Sequence, residues 1–138
     1  MKSRVTRILS IGIALAAAAA VQAQTKLVTA NVPFNFYMAS NLMEQGSYWV
    51  GECSHGPAVC MRSANGAKAA LSHPIEAKTP SDTAKLVFRR YGDTYFLAEI
   101  WTGGSTTGLA FSRSAREKEI ARNGMAPTLA VIRVALRQ

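Results

Sequence analysis

The sequence predicts a mainly β fold, a single small antiparallel β-barrel or sandwich of about seven to eight strands with one surface helix. Three observations lead there. Short runs rich in β-branched and aromatic residues recur between Gly, Pro, Asn and Asp. Two of these runs, at 85–91 and 94–101, are separated by Gly92-Asp93 alone. One stretch, 114–124, carries both a helix start and a helix stop.

The chain opens MKSRVTRILSIGIALAAAAAVQAQ. Lys2, Arg4 and Arg7 precede an uncharged apolar run, and Val21-Gln22-Ala23 places small residues before a cut. That is a secretory signal pattern, with residues 1–23 removed and 24–138 left as one β-rich domain. The apolar run is rich in Ala and short for a membrane span. No transmembrane anchor is expected after cleavage. The expected destination is the periplasm or the extracellular space. Of the formal charge of +8, three units belong to Lys2, Arg4 and Arg7. The remaining cations are interspersed with acids, so nucleic acid is not an expected partner. An envelope component or another protein is.

The elements follow in order. KLVTANV (26–32) alternates and is stopped by Pro33. PFNFYM then puts Phe34 and Phe36 on one face. NLMEQG (41–46) reads as a turn, and SYWVGEC and VCMRS as hairpin strands. Asn65-Gly66 is a hairpin signal leading into AKAALS (67–72). HPIEAKTPSD (73–82), with two prolines, reads as a surface loop. In the hairpin at 85–101, a regular register would pair Tyr91 with Thr94 and Leu86 with Glu99. One face would carry Leu86, Phe88, Arg90, Tyr95, Leu97, Glu99 and Trp101. The other would carry Val87, Arg89, Tyr91, Phe96, Ala98 and Ile100. Both faces are largely apolar, which places the hairpin centrally in the sheet. TGGSTTG (102–108) reads as a flexible loop. Ser114 and Glu117 form a capping-box pattern, and Gly124 ends the helix. Its expected buried stripe is Ala115, Ile120 and Ala121. TLAVIRVALR (128–137) is a last strand expected to close a sheet against an early one, with Ala130, Ile132, Val134 and Leu136 on one face.

The stretch CSHGPAVC holds the only two cysteines, Cys53 and Cys60. Export implies an oxidising compartment, and the flanking strands bring the two together, so a structural disulfide is expected. A metal site would need Cys53, His55, Cys60 and His73, whose spacing matches no common zinc pattern. A redox site would want C-x-x-C. No metal and no cofactor are expected.

VPFNFYM, Gly46-Ser47-Tyr48-Trp49-Val50, Arg62-Ser63 and KLVFRRYGDTYFLAEIW, taken with the signal, resemble a group of small exported proteins of unknown function common in Acidobacteria. The resemblance covers most of residues 28–122. It implies one exported domain and supplies no catalytic residues. This chain departs from the pattern at Asn35, where relatives carry Asp, and at Glu44-Gln45-Gly46, where they carry Pro-Ala-Gly. The cysteine pair lies outside the pattern.

No catalytic set is evident. The two histidines, His55 and His73, sit in no nucleophile motif, and G-x-S-x-G does not occur. Most acids fall at turns or on the solvated helix. Glu99, between Leu97 and Trp101, is read either as a register-fixing ion pair with Arg90 or as a polar group in a ligand cavity. Gly103-Gly104-Ser105 lacks the lysine of a phosphate loop. Arg89, Arg90, Tyr91 and Tyr95 combine cations with rings, a set able to bind an anionic sugar or to stack on a ring, though arginine stems more often cover apolar neighbours on a sheet. Trp49 and Trp101 are expected in the core. The candidate binding residues are thus Arg89, Arg90, Tyr91, Tyr95, Glu99 and Trp101. The expected function is a non-enzymatic binding or envelope-associated module. The alternatives are a carrier of a small apolar or amphipathic ligand inside a barrel and, third, a carbohydrate hydrolase.

Overall fold

A computed structural model of the chain describes residues 28–53 and 57–136, and the side chains of that range up to Val134. The stretch 1–23 expected to be a signal, the lead at 24–27 and residues 54–56, with His55, lie outside the described residues. The described strands are β1 (Val28–Val32), β2 (Phe36–Met38), β3 (Asn41–Met43), β4 (Gly46–Glu52), β5 (Ala58–Ser63), β6 (Gly66–Leu71), β7 (His73–Glu76), β8 (Lys85–Tyr91), β9 (Thr94–Trp101), β10 (Thr107–Ala110), β11 (Thr128–Arg133) and β12 (Ala135–Leu136). Helix α1 spans Ala115–Arg122. The fold is mainly β, as expected, but in shorter and more numerous strands.

The strands make two sheets. The first runs β12-β1-β4-β5-β6. The second runs β11-β8-β9-β10-β7, with β2 beside β9 and β3 beside β2. Neither sheet closes into a barrel among the described residues. The sheets meet along the last strand. β11 pairs with β8, and after Val134, whose N–H donates to the Ala84 carbonyl at 2.9 Å, β12 pairs with β1. The last strand therefore does pair with an early one, by changing sheets at a corner.

Alternation builds the core. Val28, Ala30 and Val32 of β1, Tyr48 and Val50 of β4, and Val59 and Met61 of β5 face Phe36, Met38, Leu86, Phe88 and Leu97 of the other sheet in one buried cluster. Phe88 takes both Phe34 and Phe36 edge-on, with ring centroids 5.0 and 5.3 Å apart. Such contacts add about 0.5–1.5 kcal/mol each beyond area burial. Trp49 departs from the expectation. It alternates with Tyr48 and Val50, so it points outward and is 41% exposed.

Three segments read as loops or turns contain strands, each for a local reason. β3 follows β2 through Ala39-Ser40, where Ala39 takes the left-handed φ of 54° that makes the turn tight. β7 contains Pro74, which an edge strand tolerates. β10 contains Gly108, where a Cβ would lie 2.7 Å from the Trp101 ring, so only glycine lets that strand approach.

The hairpin β8–β9 keeps the expected register from Tyr91↔Thr94 to Phe88↔Leu97. Beyond that a β-bulge leaves Ala98 without a partner, and Val87 pairs with Glu99, Leu86 with Ile100 and Lys85 with Trp101. The facial reading is corrected accordingly. Ile100 joins Leu86 and Phe88 in the core, and Glu99 and Trp101 move to the outer face with Val87 and Arg89.

Cys53 and Cys60 are disulfide-bonded, with Cα atoms 5.2 Å apart, at the end of the β4–β5 hairpin where the chain passes from one strand to the other. The loop they close is short, so the bond contributes about 2 kcal/mol by chain entropy. Cys53→Ser should lower stability by about that amount in urea unfolding and leave the far-UV spectrum intact. An unchanged midpoint would show that the bond is thermodynamically idle.

Candidate functional site

The structure distributes the six candidate residues over three places. Arg89 and Tyr91 lie on the outer face of β8 beneath α1. The Arg89 Nε–H donates to both Glu117 carboxylate oxygens, at 2.7 and 3.0 Å, and its Nη2 donates to the Phe111 carbonyl at 3.4 Å. The Arg113 guanidinium stands 3.9 Å from the same carboxylate. Glu117 is fully buried. The helix thus buries a carboxylate where an apolar stripe of Ala115, Ile120 and Ala121 was expected. Ser114 caps it as expected, accepting from the Glu117 N–H at 3.2 Å. The Glu117 side chain, which a capping box would turn back to Ser114, goes to Arg89 instead. Around this pair Arg116 lies 5.1 Å from the Tyr37 ring, Tyr37 stacks on Phe96, and Phe96 meets Tyr91 edge-on. Tyr91 is buried, and its hydroxyl has no hydrogen-bond partner among the described residues.

Arg90 and Tyr95 sit at the turn end of the hairpin. The Arg90 Nε–H donates to the Gly92 carbonyl at 2.6 Å, and its guanidinium lies 5.3 Å from the Tyr95 ring. Tyr95 stacks on Phe34 with centroids 3.7 Å apart. The Arg90–Glu99 ion pair of the regular register is not formed. The bulge sends the two side chains to opposite faces, and Arg90 approaches Asp93 at 3.9 Å instead.

Glu99 and Trp101 line a surface groove of about 530 Å³. Its floor comes from sheet register. Arg133 of β11, Lys85 of β8 and Trp101 of β9 stand directly opposite one another across three strands. The Trp101 Nε1–H donates to Glu99 Oε2 at 2.8 Å, which fixes the carboxylate. The far wall is the segment 77–83, with Thr79, Ser81, Asp82 and Thr83. That wall is tied down by the glycine loop. The Gly104 N–H donates to the Ser81 carbonyl at 2.6 Å, and the Ala77 N–H to the Thr106 carbonyl at 2.8 Å. Gly103 and Gly104 take φ of 50° and 70°, which the turn needs. The stretch expected to be flexible is a clamp, and Gly104 has spent its N–H on the wall rather than on a phosphate.

Lys85, Arg133 and Asp82 were not singled out from the sequence. Only the strand order brings them to Trp101. Among the described residues neither Lys85 nor Arg133 makes an ion pair, although they are cross-strand neighbours of like charge. Such pairs are mildly destabilising.

A second groove, of about 370 Å³, lies between β3 and the free edge of β6, lined by Leu42, Glu44, Tyr48, Ala67 and Lys68 among others. Tyr48 donates from its hydroxyl to the Glu44 carbonyl, and burial first, then the Glu44 charge, holds that hydroxyl above its usual pKa.

Two expectations follow for the cluster under the helix. Glu117→Ala should cost about 3 kcal/mol, because the largely covered Arg89 keeps only the Phe111 carbonyl and loses its counter-charge. The double variant Arg89→Met/Glu117→Leu should recover most of it in the same denaturation experiment, and equal loss in both would refute the desolvation argument. Tyr91→Phe should leave stability unchanged or raise it by about 1 kcal/mol, since it removes a buried hydroxyl without a partner. A clear loss on melting would mean that the hydroxyl is bonded.

No protein-family model, no curated protein and no solved structure matches this chain.

Proposed function

We propose that this chain is an exported, non-catalytic β domain that binds a small anionic, hydroxyl-bearing ligand, of the acidic-saccharide class, in the Trp101 groove. The observation that carries the reading is the Arg133–Lys85–Trp101 row. Two cations directly opposite each other, with no carboxylate paired to them among the described residues, favour an anion between them. Glu99 and the hydroxyls of Thr79, Ser81 and Thr83 offer acceptors and donors for a ligand's own hydroxyls.

Export is supported by the charged n-region, the apolar run and Val21-Gln22-Ala23, and is compatible with the disulfide. A sandwich reading of the two sheets is supported by their common core. That core also argues against a carrier with its ligand inside. Phe36, Met38, Met61, Leu86, Phe88 and Leu97 fill the space between the sheets. Binding at the surface is what such a filled interior leaves.

A hydrolase reading has one observation in its favour, since Asp82 and Glu99 line the same groove. Glu99 is already hydrogen-bonded to an indole, and no histidine among the described residues lines this groove.

Titration calorimetry with oligogalacturonate and with the matching neutral oligosaccharide separates these readings. The expected result is binding of the acidic ligand alone, weakened at least about tenfold by Lys85→Glu and by Arg133→Glu, and by added salt. Equal binding of both sugars, or of neither, would refute the anion-binding groove. Release of new reducing ends that Glu99→Gln abolishes would establish the hydrolase instead.

A further inference from the structure

We infer that β6 is a self-association edge, through which two copies of this chain pair into one continuous antiparallel sheet. β6 ends the first sheet, with β5 on one side and, among the described residues, no strand on the other. Two hydrogen bonds fix which of its backbone groups face away from β5. The Ser72 N–H points inward, donating to Pro57 at 3.1 Å. The Ala69 carbonyl points away from β5, where it accepts from the Asn41 side chain at 3.4 Å. Backbone groups alternate along a strand. Ala67, Ala69 and Leu71 therefore present their N–H and C=O groups outward, and Gly66, Lys68 and Ala70 are occupied by β5.

This edge matches itself. In an antiparallel pairing centred on Ala69, Ala69 meets Ala69, Ala67 meets Leu71 and Leu71 meets Ala67. All three are hydrogen-bonded positions, which gives roughly six new backbone bonds once the Asn41 side chain of each copy yields its Ala69 carbonyl to the partner strand. The charges fit as well. Lys68 comes opposite Ala70, so the two lysines avoid facing each other, as like charges across strands must.

Side chains point to the same partner. Leu71 is 73% exposed, the most of any large apolar residue described. Four residues earlier, Ala67 lines the groove of about 370 Å³ together with Leu42, which is 58% exposed. The pairing about Ala69 brings Leu71 of each copy to Ala67 of the other, at the rim of that groove. A projection and a recess on one edge, exchanged about a two-fold axis, make an isologous interface. The strand carries few of the usual defences of an edge. It has one lysine, no proline, and a regular register against β5 from Ser63↔Gly66 to Ala58↔Leu71.

Native mass spectrometry and light scattering over a concentration series test this, on the protein as the expressing cell processes it. The expected result is a concentration-dependent dimer. Ala69→Pro removes an outward N–H and leaves the β5–β6 ladder intact, so it should raise the dimer dissociation constant at least tenfold while the circular dichroism and melting temperature of the monomer hold. Leu71→Lys should act in the same direction. Ala69→Cys should form an interchain disulfide on mild oxidation, because hydrogen-bonded antiparallel partners stand about 5.5 Å apart at Cα. A monomer at every concentration would overturn the inference. So would a dimer that survives both Ala69→Pro and Leu71→Lys, or an Ala69→Cys variant that never crosslinks. The groove at Trp101 takes no part in this edge, so failure of either proposal leaves the other standing.

Discussion

The extra residue at Ala98 is the constraint on which the second sheet depends. A strand's side chains alternate, so one inserted residue inverts every position beyond it. Before the bulge, Tyr95 and Leu97 face the core. After it, Ile100 does. Without the bulge, Glu99 and Trp101 would point between the sheets, into a space already filled by Phe88 and Leu86. A carboxylate there would have to be desolvated against apolar neighbours, at a cost of several kcal/mol. The inversion instead sets Trp101 beside Lys85 and Arg133 and lets its indole hold Glu99. One backbone irregularity therefore both completes the core and creates the groove.

The same hairpin is buried on its outer face too, and here the cover is polar. Phe96 and Tyr91 are shielded by a helix whose one fully buried side chain is an acid. Glu117 can be buried because Arg89 meets it at hydrogen-bonding distance and Arg113 stands nearby. Burying such a pair adds little net stability, since desolvation offsets most of the attraction. What it does supply is direction. A helix with a thin apolar stripe has little else to fix its rotation on a sheet, and a bonded Arg–carboxylate pair, with Arg116 seated on Tyr37, fixes it.

Much of the fold was legible in the sequence because its signals are local. The Gly92-Asp93 turn, the Ser114 cap, the Gly124 stop and the Phe34–Phe36 face each depend on a few neighbouring residues. The disulfide could be read because one loop holds both cysteines. The failures share a different cause. β3, β7 and β10 are strands by virtue of what pairs with them, and their own residues, Asn41, Pro74 and Gly108, argue the other way. The bulge has no composition signature, since Ala98 is as ordinary in a regular strand as in an irregular one. The groove was half legible. Glu99 stood out as a carboxylate in an apolar run, but Lys85 and Arg133 become its neighbours only through the strand order β11-β8-β9. Glu117 was hidden by its helix, whose charged sequence reads as solvated until Arg89 is placed opposite.

The two sheets are joined at one side and open at the other, and this asymmetry separates two jobs. At the joined side the chain crosses from β11 to β12, and Arg133, the last residue of β11, contributes to the groove. At the open side β6 and β3 are linked across the sheets by Asn41 alone among the hydrogen bonds described, and their outer edges have no strand partner among the described residues. β6 lies four strands from β12, roughly 20 Å at the usual strand spacing. A dimer formed through β6 would thus keep both grooves clear of the interface, one in each copy. Two sites held on one rigid sheet would bind a repeating polymer with the effective concentration of a linked pair, so that weak contacts at each groove would suffice for retention on a repeating ligand of the proposed class. That gain requires a ligand with repeats. The proposed ligand class and the proposed edge are therefore physically consistent with each other while resting on separate residues.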